Sequence, residues 1–248
     1  MYDFALPPLV LHALYTGDAR PLKHWLEIGP RNAVTVLDTH DGIGVLDVWA
    51  SRKGPENRPG LLLPEQIDHL VETIHERSSG ASRQATGAAA NNLDLYQVNC
   101  TFYDALGRRD DEYLIGRALQ FFAPGIPQVY YVGLLAGTND LDLLRRTGLG
   151  RDINRHYYTR AELEERLRCP VVRALLELIH FRTAHPAFAG DFRVHSSDDH
   201  SMAMEWRRAT DWARLDVDLA DRSATISYSD PAGNRKMSVA PRAVGVDG

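Results

Sequence analysis

Two short apolar runs constrain the fold of this chain more than any other feature. The first, residues 33–38, is rich in β-branched side chains and has a proline before it and a glycine after it. The second, residues 128–133, follows a Pro-Gly turn. Apolar runs of this length are typical of strands that are buried on both faces, as in parallel α/β sheets. The sequence therefore predicts a parallel sheet covered by helices.

Helical patterns fill the space around these runs. Apolar residues recur at helical spacing in a segment that opens at Pro64, and Thr159 and Glu162 form a capping box at the head of a further helix. We also predict short helices within residues 9–26, a helix over residues 110–122 and a longer one from Pro170. After Pro186 the apolar period changes from 3.6 to 2, which predicts a separate antiparallel β module with a hairpin through residues 220–223.

Composition narrows the class of protein. The 248 residues carry a net charge of −5, so no basic field favours nucleic acid or an anionic membrane surface. The two cysteines, Cys100 and Cys169, are far apart and form no CxxC motif, which is typical of a reducing compartment. No apolar run has membrane-spanning length and the start lacks a signal-peptide pattern. We expect a cytoplasmic protein that binds neither nucleic acid nor membrane.

The densest cluster of reactive side chains follows the first apolar run. In it, Asp38, His40 and Asp41 lie just before Gly42. Ligand sites of parallel sheets lie beyond the carboxyl ends of strands, which favours a functional interpretation. Alternation predicts Asp38 and His40 on one face, with Asp41 at the loop edge. An equally good alternative is structural, with Asp38 capping a turn and His40 in a core hydrogen bond. A metal site is disfavoured, because the other histidines are scattered.

Two further polar segments are candidates for sugar recognition. Residues 92–99 mix amides and a carboxylate with an aromatic ring, although an amphipathic strand explains the segment better when it is taken alone. Residues 148–158 begin with glycines, and Arg151 has the forked donor that suits a carboxylate or sugar hydroxyls. A surface loop with a local salt bridge is the competing interpretation of this second segment.

Together, four segments in this order resemble the sucrose phosphorylases, which belong to the α-amylase superfamily of retaining glycosidases. The segments are residues 34–44, 92–99, 128–133 and 150–158. The resemblance runs from residue 1 to about residue 190. It implies strands six to eight of a (β/α)₈ barrel, at residues 2–6, 34–38 and 128–132. It implies partial barrel at 1–44 and 107–186, an inserted subdomain at 45–106 and an antiparallel β domain at 187–248.

The resemblance also implies the chemistry. Such enzymes move the glucosyl unit of sucrose to an aspartate and then to phosphate, giving α-glucose 1-phosphate and fructose with net retention. Asp41 matches the carboxylate that stabilises the transition state, and His40 and Arg151 match its companions around the glucose. The residues that match the acceptor loop are Asp94, Leu95, Tyr96 and Gln97. No cofactor and no metal is implied, and some relatives are dimers, which allows a homodimer in the full-length protein.

Within the resemblance, the residue types at 93–97 favour sucrose over the phosphorylated sucrose or glycerate acceptors that some relatives use. The resemblance places the nucleophilic aspartate after strand four and the general-acid glutamate after strand five, and neither strand is present here. Residues 1–8 read as a strand that is already under way and that a double proline ends. We therefore expect a fragment of a larger fold that is unstable and inactive alone. The alternatives are a carbohydrate-binding remnant without catalysis and a related phosphorylase that acts on sucrose 6′-phosphate.

Overall fold

The computed structural model describes residues 1–45, 48, 60–86 and 97–241. The strands are β1 (Tyr2–Asp3), β2 (Val34–Thr35), β3 (Ile43–Gly44), β4 (Gln97–Val98), β5 (Ile126–Pro127), β6 (Asp191–His195), β7 (Ser201–Arg208), β8 (Asp211–Asp218), β9 (Ser223–Asp230) and β10 (Gly233–Ser238). The α-helices are α1 (Leu6–Thr16), α2 (Arg20–Ile28), α3 (Pro64–Arg77), α4 (Ala81–Thr86), α5 (Phe102–Ala105), α6 (Asp110–Phe122), α7 (Tyr131–Leu134), α8 (Leu141–Thr147), α9 (Arg160–Arg166) and α10 (Pro170–Ala184). Gly150–Asn154 and Pro186–Ala189 are 3₁₀ helices.

The parallel sheet consists of β1, β2 and β5 in that order. Val34 lies between Tyr2 and Ile126 in the register, so the middle strand comes from the first apolar run. Helices α1 and α2 connect β1 to β2, while α6 leads into β5 and packs against α10. Three parallel strands that alternate with packed helices are what part of a (β/α)₈ barrel requires, in keeping with the prediction.

The first strand is shorter than the predicted strand over residues 2–6, and the double proline does not end it. Pro7 and Pro8 lie in the first turn of α1. Proline is tolerated there because the first amides of a helix have no partner within the helix. Asp3 accepts the amides of Ala5 and Leu6, both at 3.1 Å, and so starts the helix directly after the strand.

The last parallel strand lies two residues earlier than predicted. It is Ile126–Pro127 instead of residues 128–132, and the residues from Tyr131 form α7. The Gln128 amide still donates to the Thr35 carbonyl at 2.9 Å, after which the chain leaves the sheet. The hydroxyl of Tyr113 donates to the carbonyl of Gly133 within α7. A short apolar run does not distinguish strand from buried helix by itself, and here a contact from α6 decides.

The segment between β2 and β5 packs around α3. As predicted, this helix opens at Pro64 and buries the apolar face of Ile67, Leu70, Val71 and Ile74. Strand β3 pairs with β4 in antiparallel register, which ties the end of this segment to the residues that follow β2. The predicted domain limits at residues 44, 106 and 186 stay predictions.

The antiparallel β module is a meander in the order β10-β9-β8-β7-β6. The predicted hairpin joins β8 to β9, and Asp218 accepts the amides of Ala220 and Asp221 there, both at 2.9 Å. The module docks on α6, where the indole Nε1 of Trp206 donates to the carbonyl of Phe122 at 2.8 Å. One apolar cluster runs through both parts, so the β module and the partial barrel share a core.

In the described part of the chain, no helix is both long and apolar enough to cross a membrane.

Candidate active site

A tight turn after β2 carries the candidate carboxylate. Thr39 and Gly42 exchange two backbone hydrogen bonds of 3.1 Å, and Asp41 projects from the turn between them. Gly42 has φ +103°, a conformation that favours glycine, and a Cβ there would collide with the carbonyl of Val98. The turn therefore needs glycine both for its backbone angle and for its contact with β4.

Three cationic or protonatable side chains surround the Asp41 carboxylate. Its Oδ1 accepts from Nη2 of Arg155 at 3.1 Å and from Nη1 of Arg151 at 3.4 Å. Its Oδ2 lies 3.1 Å from Nε2 of His40. The Asp41 side chain is 35% exposed, so it is open to a ligand while these neighbours hold it in place. The structure thus brings together the three residues Asp41, His40 and Arg151 that the sequence analysis singled out.

Arg155 is a site residue that the sequence analysis did not assign. It stands directly after the 3₁₀ helix that carries Arg151, and its Nε donates to the carbonyl of His40 at 2.8 Å. The side chain of Asn154 is buried and donates to the carbonyl of Thr39 at 2.8 Å. The spacing of four residues between Arg151 and Arg155 is the signal in the sequence that could have pointed to a shared partner.

Asp38 is not part of this site, and the prediction that it shares a face with His40 is wrong. Its side chain is buried, and its Oδ1 accepts from Nη2 of Arg117 at 2.8 Å, whereas the His40 side chain is 63% exposed. Arg117 also donates to the hydroxyl of Tyr113 and to Gln120, and burial raises the pKa of Tyr113 to about 12. The Asp38 carboxylate therefore forms a buried ion pair with Arg117 in the core and does not reach the Asp41 site.

A metal centre at this cluster does not fit the geometry. Asp38 is bonded to Arg117 in the core, so Asp38, His40 and Asp41 do not converge on one point. Within residues 1–45, 48, 60–86 and 97–241, no group of three or more His, Cys, Asp or Glu side chains could hold a metal ion.

The predicted acceptor residues are described in part. Asp94, Leu95 and Tyr96 lie outside the described residues. Gln97 is partly buried in β4 and is paired in register with Gly44, three residues after Asp41. The segment that carries it therefore lies beside the Asp41 turn.

Asn99 links this segment to the 3₁₀ helix. Its amide donates to the Thr86 hydroxyl at 3.1 Å, and its side chain donates to the Ala85 carbonyl at 3.2 Å. A Cβ at Gly150 would collide with both the Ala85 carbonyl and the Asn99 side chain. The backbone just before Arg151 is therefore packed against the base of the predicted acceptor loop.

A polar cavity of about 430 Å³ is lined in part by His156 and Tyr158, at the end of residues 150–158. At its wall, Nδ1 of His156 lies 2.7 Å from Oδ2 of Asp140, and Nε2 lies 3.4 Å from Oε1 of Glu162. Burial alone would raise the pKa of Asp140, but hydrogen bonds from the Leu143 amide and from His156 outweigh it and lower that pKa. These contacts fix the end of the segment that carries Arg151 and Arg155.

Comparison with known proteins shows the class of protein to which the fold belongs. No family model matches the chain. A solved structure, sucrose 6F-phosphate phosphorylase from Thermoanaerobacter thermosaccharolyticum, superposes with a TM-score of 0.84 and 37% identity over 96% of this chain and 47% of that one. The fold is therefore that of the C-terminal part of an α-amylase-type enzyme, a partial (β/α)₈ barrel followed by an antiparallel β domain.

Curated relatives then identify the family. Sucrose phosphorylase from Agrobacterium vitis is 63% identical over 92% of this chain, and sucrose phosphorylase from Bifidobacterium adolescentis is 53% identical over 95% of it. The chain covers 46% and 48% of these two proteins, so it spans about half the length of the curated relatives that it matches. The chain belongs to the sucrose phosphorylase family and corresponds to its C-terminal half.

Proposed function

We propose that this chain contributes the Asp41 carboxylate to a sucrose phosphorylase active site. This carboxylate stabilises the glucosyl unit in the transition state. The observation that carries the proposal is the partly exposed Asp41 carboxylate, held between Arg155, Arg151 and His40 at the carboxyl end of a barrel strand. Active sites of such barrels lie at that end. A carboxylate that its neighbours already hold in place stabilises developing positive charge without reorganising during the reaction.

The proposed reaction is a double displacement at the anomeric carbon of glucose. A carboxylate nucleophile attacks that carbon while a general acid protonates the departing fructose oxygen, and phosphate oxygen then displaces the nucleophile as the same acid, now a base, takes the phosphate proton. Both steps pass through a transition state with positive charge on the glucosyl ring, which Asp41 faces. The family resemblance assigns the nucleophile and the acid to barrel strands four and five, outside the matched half.

Sucrose is the proposed donor, and inorganic phosphate is the proposed acceptor. Identity to the two sucrose phosphorylases is 63% and 53%, against 37% to the sucrose 6F-phosphate enzyme. The residue types at 93–97 also favour sucrose as the donor. A homodimer of the full-length protein and a cytoplasmic location, in keeping with the free Cys100 and Cys169, stay proposals.

Complementation tests the proposal. The full chain is produced with the N-terminal half of the Agrobacterium vitis relative, and the copurified pair is called the complemented protein below. We expect it to form α-glucose 1-phosphate from sucrose and phosphate, and to use sucrose 6′-phosphate poorly. Binding of glucose without turnover would favour a carbohydrate-binding remnant, and turnover of sucrose 6′-phosphate in preference to sucrose would overturn the proposed donor.

A further inference from the structure

The turn that carries Asp41 is held at three successive residues by one short segment. Asn154 donates to the carbonyl of Thr39 at 2.8 Å, and Arg155 donates to the carbonyl of His40 at 2.8 Å. Arg155 then reaches the Asp41 side chain itself, at 3.1 Å. Two neighbouring side chains thus fix both the backbone of the turn and the direction of its carboxylate.

The two arginines at Asp41 differ in burial and in what they bind. The Arg155 side chain is 25% exposed, and its second terminal nitrogen, Nη1, lies 3.6 Å from Asp152, so every nitrogen of its guanidinium has a protein partner. The Arg151 side chain is 55% exposed and meets Asp41 through a single contact of 3.4 Å. Arg155 is therefore fixed on the protein side, while Arg151 is open to the substrate side.

We infer that Arg155 is the positioning residue of the Asp41 turn, whereas Arg151 keeps the contact with glucose that the family resemblance implies. The inference rests on the proposed function and deepens it, because it divides two jobs between two arginines that touch the same oxygen. The planar fork of Arg155 spans a backbone carbonyl and a carboxylate at once, which a lysine ammonium does not reproduce. Catalytic groups have to be held within about 0.5 Å of their productive geometry, and a hold on the backbone of the turn supplies that precision.

Amide hydrogen exchange tests the structural half of the inference. In the full chain, measured with the complementing half present, Arg155→Ala should accelerate exchange at Asp41 and Gly42 about tenfold, as expected when a hydrogen bond that holds the turn is lost. The matched variant Arg151→Ala removes a contact to the same oxygen and should leave these amides protected. Unchanged protection in Arg155→Ala, or equal acceleration in both variants, would overturn the inference.

Kinetics test the other half. Displacing a catalytic group by about 1 Å costs on the order of 100-fold in rate. Arg155→Ala should therefore lower kcat by that order and leave the KM for sucrose nearly unchanged. Added guanidinium ion should restore part of the kcat, which a merely structural defect would not allow. Arg151→Ala should instead raise the KM for sucrose. A rise in KM in Arg155→Ala without loss of kcat contradicts the positioning role.

The two proposals fail in different ways. If the wild-type complemented protein forms no glucose 1-phosphate, the proposed function is wrong, and the exchange comparison of Arg155→Ala with Arg151→Ala still decides the role of Arg155. If the wild type is active and both variants lose kcat equally with no difference in exchange, the proposed function stands and the division between the arginines is wrong.

Discussion

At the scale of single residues, Asp41 and Asp38 show how three positions separate two carboxylates into different roles. Asp41 is partly exposed and forms ion pairs with Arg151 and Arg155, whereas Asp38 is buried and paired with Arg117. An exposed ion pair contributes little to stability, but a buried charge that loses its partner is costly. Removing the Asp41 carboxylate should therefore lower activity and leave stability nearly unchanged, whereas removing the cation that pairs with Asp38 should lower stability.

Asp41→Asn should leave the protein folded. Since the Asp41 pairs are partly solvated, losing them should change the free energy of unfolding by less than about 1 kcal/mol. The measurement is thermal unfolding of the complemented protein, followed by circular dichroism. A loss of several kcal/mol would show that the carboxylate is a structural group.

Arg117→Met should destabilise the fold, because it leaves the buried Asp38 carboxylate without its cation. We expect a loss of about 3–5 kcal/mol in the free energy of unfolding, as for other broken buried pairs. The matched control is Arg145→Met, whose pair with Asp142 is exposed and should contribute less than about 1 kcal/mol. Equal losses in the two variants would contradict the burial argument.

At the scale of elements, a helix or strand was predicted correctly where its own residues determine its structure. Helix α6 was expected at residues 110–122 and is found there, because its apolar residues recur at helical spacing and Asp110, Asp111 and Glu112 favour its first turn. The predicted strand at residues 128–132 was wrong, since Tyr113 in α6 bonds Gly133 and α7 forms instead. The Asp38–Arg117 pair joins positions 79 apart in sequence, which no local pattern reveals.

The candidate site follows the same division. The cluster with His40 and Asp41 was visible because glycines and carboxylates at a strand end are a local signal. Arg151 was a candidate from its forked donor, and the resemblance implied its place beside the glucose. The packing that fixes their geometry, through Asn154 and Arg155, depends on how the 3₁₀ helix meets the turn some 115 residues earlier. Residue types at the site were therefore predictable, and their mutual support was not.

Two buried histidines, in α1 and α3, predict a pH dependence of stability. Burial lowers the pKa of His12 and of His75 below the ordinary value of 6.5. As the pH falls below 6.5, the unfolded chain takes up protons before the folded chain does, so the free energy of unfolding falls. The full stability is present above pH 6.5, and the slope below it is at most about 1.4 kcal/mol per pH unit for each histidine.

Thermal unfolding of the complemented protein between pH 5 and 8 checks this dependence. His12→Leu should flatten the acid side of the profile, because it removes one of the two buried histidines. A profile that keeps the wild-type slope in His12→Leu would show that the buried histidines do not set it.

At the scale of the whole molecule, the three-stranded parallel sheet leaves apolar surface uncovered. Ile126 in the edge strand β5 is 68% exposed, and Tyr2, Tyr131 and Leu176 are also exposed. Beside them lies an apolar groove of about 320 Å³, whose wall includes Val129, Leu134 and Ile179. Unpaired strand edges with apolar neighbours favour association with other chains.

The chain should therefore self-associate when purified alone. Light scattering should show growing particles for the wild type, and fewer for Leu176→Glu, which places a charge on the apolar groove without touching the site. Addition of the complementing half should suppress scattering in the wild type. A monodisperse chain whose scattering the complementing half does not change would contradict a role for this surface in assembly.

The central claim is that Asp41 in this chain stabilises the glucosyl transition state of sucrose phosphorolysis. The most direct measurement is the initial rate of α-glucose 1-phosphate formation by the complemented protein, compared with that of its folded Asp41→Asn variant. Loss of one preorganised oxyanion-hole donor costs about 10²- to 10³-fold in kcat, and we predict at least that loss for the Asp41 charge. Equal rates in the wild type and Asp41→Asn, with both proteins folded, would contradict the claim.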